Sequence, residues 1–125
     1  WQQGHLASYA AVMSRSDYQP KVQVLVYPAI DTLSPHDGGA IEPWDPDAGY
    51  PPASTSTHLL LDRGAPPTFL AGVTTDEYTP ITENTDVYAR ALAERYVPCE
   101  YVREEGSEHG CGLQAWWAQP CEEWL

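Results

Sequence analysis

Pro66-Pro-Thr-Phe-Leu-Ala-Gly-Val73 is the stretch whose reading decides the fold. It is a short run, apolar at odd and even positions alike, opened by two prolines. Side chains alternate across a strand, so such a run predicts a strand covered on both faces. Upstream, Lys21-Val-Gln-Val-Leu-Val-Tyr27 predicts another strand, apolar on both faces from Val24 onward and ended by Pro28. Downstream, Glu100-Tyr-Val-Arg103 alternates, which predicts a third, half-exposed strand. Helical spacing fills the gaps. Leu6, Tyr9, Ala10 and Met13 fall at i, i+3, i+4 and i+7, one apolar face, which predicts a helix over His5–Arg15; Gly4 just before it suits a tight turn. Pro80 suits a helix's first turn, with Thr79 as N-cap and Glu83 and Asp86 at its positive start. Tyr88, Ala91, Leu92 and Arg95/Tyr96 continue that period until Pro98. After Gly112 the chain returns to helix, with Pro120 near its start. Strands alternating with helices predict an α/β fold, a three-layer parallel sheet with flanking helices. Right-handed crossovers then bring the loops after the second and third strands to one edge.

The segment from Ala29 to His58 reads differently. It holds five prolines, three glycines and five acidic residues, and no Lys or Arg occurs from Val22 to Asp62. It is expected to be an irregular, acidic, Pro-rich insertion over 29–58. Asp45-Pro-Asp47-Ala-Gly49 begins like a calcium loop but lacks the distal Glu. Ser16 to Pro20 is a polar break.

Composition bounds the partners. The 125 residues carry 18 Asp+Glu against 6 Lys+Arg, a net charge of −12. That excludes tracking of nucleic-acid phosphates, which needs Lys and Arg in number. The chain is 42% hydrophobic with 5 Trp and 8 Tyr, too apolar for a disordered acidic tail. No apolar run approaches the ~20 residues of a membrane span. Cys99, Cys111 and Cys121 form an odd, sparse set without CxxC, which favours a reducing compartment such as the cytoplasm. Zinc ligation by Cys99, His109, Cys111 and Cys121 is disfavoured by their spacing. No metal and no cofactor are expected.

Two loop residues stand out. Asp76 follows the second strand and His109 the third, so both reach the carboxyl-end edge, where open α/β folds place their sites. An Asp can orient an imidazole and stabilise its protonated form while the ring works as general base. Glu77 is the rival acid, and Glu108 is a neighbouring anion. Asp31, on the same edge, is either a pocket residue or a turn residue. Trp116 and Trp117 can line a pocket or pack the core. A Cys111–His109 nucleophilic pair is disfavoured, because adjacent loop positions rarely aim at each other. His5 reads as a helix-start residue. His36 and His58 have no evident partners.

Four ordered motifs carry a resemblance. Gly4-His5-Leu6-Ala7 resembles the helix start after a nucleophile elbow. Val22 to Asp31, with Tyr27-Pro28, is similar to the strand and turn before the catalytic acid. Pro66 to Gly72, with Asp76 four before Pro80 and then Glu83-Asn84, resembles the acid segment. Gly106-Ser-Glu-His109-Gly-Cys-Gly-Leu113 resembles the catalytic-histidine loop. The family is the α/β-hydrolases, more narrowly the esterase, acetyl-xylan-esterase-like and dienelactone-hydrolase-like branches. The resemblance implies that residues 1–125 are the C-terminal portion of an α/β-hydrolase domain, an incomplete fold with an open sheet edge. It implies serine-type hydrolysis of a small-molecule carboxylic ester, with His109 as general base and Asp76 as orienter. The elbow itself, G-x-S-x-G, is missing. The alignment puts Trp1 in the serine's place, followed by Gln2 and Gln3, while Ser8, Ser14 and Ser16 do not fit an elbow. The chain alone is therefore expected to be inactive, with a complementary chain or a second copy covering the open edge. The alternatives are a non-catalytic binding or interaction protein on a hydrolase scaffold, and an acidic carbohydrate-binding module using its tryptophans.

Overall fold

A computed structural model describes residues 2–14, 19–33, 55–106, 108–110 and 112–125. Three strands, β1 (Gln23–Val26), β2 (Thr68–Val73) and β3 (Cys99–Glu104), form one parallel sheet in the order β1-β2-β3. Val24 pairs with Phe69, and Phe69 with Glu100. Among the described residues four helices flank the sheet: α1 (Gln2–Met13), α2 (Thr57–Leu60), α3 (Thr85–Glu94) and α4 (Ala115–Trp124). The alternation of strand side chains sorts them into layers. Leu25, Leu70 and Tyr101 face a core built with Val12 of α1, Leu61, and Tyr88, Ala91 and Leu92 of α3. Phe69, Ala71, Val26 and Val102 face α4 through Trp116, Trp117, Cys121 and Trp124. All six residues of β2 are buried, as its sequence predicts for the central strand. Each large side chain in these clusters stabilises the fold by about 1.5–3 kcal/mol through burial alone.

Several expectations are corrected. α1 begins at Gln2 rather than His5 and is described only to Met13, so Arg15 lies outside the described residues. Its predicted apolar face points to solvent, with Leu6 67% and Met13 50% exposed. The buried face is made of Ser8 and Ala11. Small residues let the helix lie close to its neighbours: Ser8 donates a hydrogen bond to Thr57 of α2 at 3.1 Å. Gly4 is not a turn residue but a contact point. A Cβ there would stand 2.9 Å from the Cα of Pro28. β1 is fully covered on one face and partly on the other: Gln23 and Leu25 are buried, whereas Val24 is 38% exposed and Val26 is half-buried against the α4 cluster.

The chain after β2 turns before it coils. Residues 81–84 are turns, and α3 begins at Thr85 with Asn84, not Thr79, at the N-cap position. Pro120 lies within α4 rather than near its start. The two described ends of the 29–58 segment are packed: Ala29, Ile30, Ser56 and Thr57 are buried, and α2 forms there. The stretch 34–54, with His36 and the Asp45–Gly49 loop, lies outside the described residues, as do Trp1, Ser16 and Cys111. No described helix is long and apolar enough to cross a membrane.

Candidate active site

Parallel strands aligned in register deliver the ends of β1, β2 and β3 to one edge. Asp76 stands three residues past β2, in a turn closed by its own carboxylate. Oδ1 accepts the backbone N–H of Tyr78 at 2.9 Å and of Thr79 at 2.8 Å. Oδ2 accepts the Thr79 hydroxyl at 2.8 Å and Nδ1 of His109 at 2.7 Å. Side-chain bonding to backbone two and three residues on is what makes Asp a turn residue. It also fixes the carboxylate by bonds that do not involve the imidazole. Thr79, which the sequence suggests as a helix cap, instead holds Asp76.

The His109 side chain is 12% exposed and that of Asp76 2% exposed. A carboxylate only accepts, so the shared proton sits on Nδ1. In the neutral ring Nε2 then carries the lone pair, the form a general base needs. Two tyrosines hold the ring: Tyr27 with centroids 5.2 Å away and Tyr78 at 5.4 Å. Tyr27 has φ 49°, in the left-handed region. For a bulky residue that conformation costs about 1–3 kcal/mol and persists only when its surroundings impose it. Here the Tyr27 N–H donates to Ala71 at 2.9 Å, and its ring also meets Trp116 at 5.9 Å. In the sequence Tyr27 reads only as a strand end, and Tyr78 does not stand out. No residue pattern announces a positive φ at a tyrosine, but an Asp followed three residues later by Thr does announce the turn that carries Tyr78.

Beside His109 opens a cleft of ≈ 440 Å³ lined by Thr75, Glu77, Tyr78, Gly106, Glu108 and His109. Glu77 and Glu108 are exposed at this cleft, and the acid that touches the imidazole is Asp76. Asp31 serves a turn, accepting Leu33 N–H at 2.8 Å and the Ser56 hydroxyl at 3.3 Å. His5 pairs with the Thr55 carbonyl at 2.8 Å. Burial holds the His58 imidazole below its usual range, against the opposing pull of Asp31. Trp116 and Trp117 both join the core beneath α4, and the Trp117 indole donates to the Gly112 carbonyl at 2.9 Å. Burial pushes the Cys99 thiol up to about 11 and raises that of Cys121, so both are protonated at neutral pH. Among the described residues no group of three His, Cys, Asp or Glu is placed to hold a metal ion.

No protein-family model matches the sequence, and no curated protein matches it. Solved structures do match. An acetyl ester-xyloside bifunctional hydrolase from Caldicellulosiruptor lactoaceticus is similar over 97% of this chain and 52% of its own, at 28% identity and TM-score 0.79. A carboxylesterase from Lactobacillus plantarum matches 88% of this chain and 43% of its own, at 23% identity and TM-score 0.67. A thermophilic esterase from Thermogutta terrifontis matches 98% and 50%, at 22% identity and TM-score 0.72. The last two show likeness of fold alone. The chain thus spans about half the length of the solved structures it matches. With its open three-strand parallel sheet and flanking helices, it is a partial α/β-hydrolase-like fold whose structural neighbours are esterases and hydrolases.

Proposed function

We propose that this chain carries the acid–base pair of a serine-type carboxylic-ester hydrolase. The observation that supports it is the 2.7 Å hydrogen bond from His109 Nδ1 to buried Asp76, at the strand edge of a hydrolase-like fold. In this reading Nε2 takes the proton from a serine hydroxyl as its oxygen attacks the ester carbonyl. Asp76 stabilises the resulting imidazolium, which then protonates the departing alkoxide; water repeats the sequence on the acyl-enzyme. The 125 residues contain no G-x-S-x-G, so the nucleophile and the oxyanion donors come from sequence outside them. That sequence, or a second copy, would pair along the outer edge of β1, beside exposed Val22 and Val24.

The test is hydrolysis of p-nitrophenyl acetate by the protein as produced from its native gene. Expected is turnover that His109→Ala abolishes and that Asp76→Asn lowers by about 10⁴, the loss seen when an Asp–His pair is left in the wrong tautomer. Hydrolysis indifferent to His109, or none at all, would falsify the reading and favour a binding protein on the same scaffold.

A further inference from the structure

Charge is distributed along the strand axis, not evenly over the chain. The segments that leave the carboxyl ends of the strands are 27–56, 74–84 and 105–114. Their described residues contain six Asp or Glu (Asp31, Asp76, Glu77, Glu83, Glu105 and Glu108) and no Lys or Arg. The described residues of the segments that enter the strands, 14–22, 61–67 and 95–98, contain the cations Lys21, Arg63 and Arg95 against Asp62. Of the other described cations, Arg90 lies within α3 and Arg103 is held by Asp86 at 3.4 Å. The His109 cleft therefore opens at the negative pole, with Glu77 and Glu108 in its lining and no cation among its lining residues. Carboxylates of one sign around a cleft focus the field into it, concentrating cations and repelling anions.

We infer that the His109 cleft selects by charge, admitting uncharged or cationic esters and rejecting esters that carry a carboxylate, sulfate or phosphate. The ester part of this inference rests on the hydrolase reading above; the charge selection does not. Glu77 and Glu108 are the specificity-determining residues. Neither touches the Asp76–His109 bond, so their removal alters preference rather than the acid–base pair.

The test separates the two. Iodoacetamide and iodoacetate alkylate an imidazole nitrogen by the same displacement of iodide, and differ in that only iodoacetate is an anion. The full chain is treated with each, and modification of His109 is read by peptide mass, alongside free N-acetylhistidine treated in the same way. Expected is a preference for iodoacetamide at His109 on the order of tenfold greater than the preference N-acetylhistidine shows. It shrinks in the Glu77→Gln/Glu108→Gln double variant. It also shrinks at high salt, which screens exposed charges beyond about 10 Å already at 0.1 M. Equal alkylation, or a preference for iodoacetate, overturns the inference whatever the esterase result. In the second arm the native protein is given p-nitrophenyl acetate and the anionic mono-p-nitrophenyl succinate. Faster turnover of the acetate, narrowed in the double variant, supports the ester preference; equal turnover overturns it. Selective alkylation with no turnover of either ester overturns the hydrolase reading and leaves a charge-selective cleft.

Discussion

Asp76 accepts four hydrogen bonds, two from backbone and two from side chains, which saturates a carboxylate in a buried turn. Such a group is expensive to leave partly satisfied, because each bond to an ionised acceptor is worth about 1.5–3 kcal/mol. Thr79 is the donor whose removal is cleanest. Thr79→Val keeps the shape and deletes the hydroxyl that reaches Oδ2. We expect it to lower stability by about 1.5–3 kcal/mol, read as a shift in the urea midpoint at unchanged slope. It should also free the carboxylate to shift against His109, since the hydroxyl that fixes Oδ2 from the Thr79 side is gone. An unchanged midpoint would mean that water replaces the hydroxyl and that Thr79 holds nothing in place. Gly72 sits under the same turn. A Cβ there would meet Thr85 Oγ1 at 2.8 Å and Ile81 Cδ1 at 3.1 Å, so β2 needs glycine where residues 81–85 pack on it.

Between elements, Asn84 plays the part that Asp76 plays within its turn. It is fully buried, and its Oδ1 accepts the N–H of Ile30 at 2.7 Å and of Asp31 at 3.2 Å. Its amide donates to the Pro80 carbonyl at 3.0 Å. The residue thus ties the turn after β1 to the turn after β2, the two segments that carry Tyr27 and Asp76. Asn84→Ala orphans two N–H groups in a site that alanine cannot reach, for an expected loss of about 2–5 kcal/mol in a thermal or urea melt. A loss under about 0.5 kcal/mol, within the range of ordinary surface changes, would show that the turns hold without it. Nothing in the sequence marks Asn84 as such a tie, because the partners it ties in, Ile30 and Asp31, lie more than fifty positions away. The strands were legible because they depend on a pattern within a few residues: Phe69, Leu70 and Val73 read as buried and are. So was the meeting of Asp76 and His109, which follows from strand order. The face of α1 was not. Periodicity follows large apolar side chains, whereas close packing here uses Gly4 and Ser8, and the large ones, Leu6 and Met13, point away. α4 offers a test of local preference against fold. Pro120 cannot donate to the carbonyl of Trp116 one turn back, so Pro120→Ala should restore that bond and stabilise by about 1–3 kcal/mol in a thermal melt. A destabilised variant would show that the proline seats Trp116 and Trp117 against the sheet.

At the scale of the whole molecule, the cores hide ionisable groups that couple the fold to alkaline pH. Burial raises the Tyr88 phenol from 10.0 to about 12, opposed by the hydrogen bond from Gln23. Burial also raises Tyr101, whose hydroxyl donates to Asp86 at 2.6 Å, and lifts the Cys99 thiol from 9.0 to about 11. All three are acids whose folded values stand above their unfolded ones. The unfolded chain therefore releases their protons first, and the stability they contribute is complete below the unfolded values. It is lost as pH rises toward the folded ones. For Tyr88 alone the interval from 10.0 to about 12 corresponds to about 2–3 kcal/mol. With total stabilities typically about 5–15 kcal/mol, that is enough to be seen. We expect the urea midpoint to hold steady through neutral pH and to fall between about pH 9 and 12. The part of the tyrosinate absorbance that Tyr88→Phe removes should rise in step with unfolding rather than ahead of it, since Tyr88 ionises only once exposed. Tyr88→Phe should flatten the decline above about pH 10 while leaving its onset to Cys99 and Tyr101. If Tyr88→Phe keeps the parent's slope, the phenol is reached by solvent in the folded state and the two-faced packing of the sheet is looser than its burial implies.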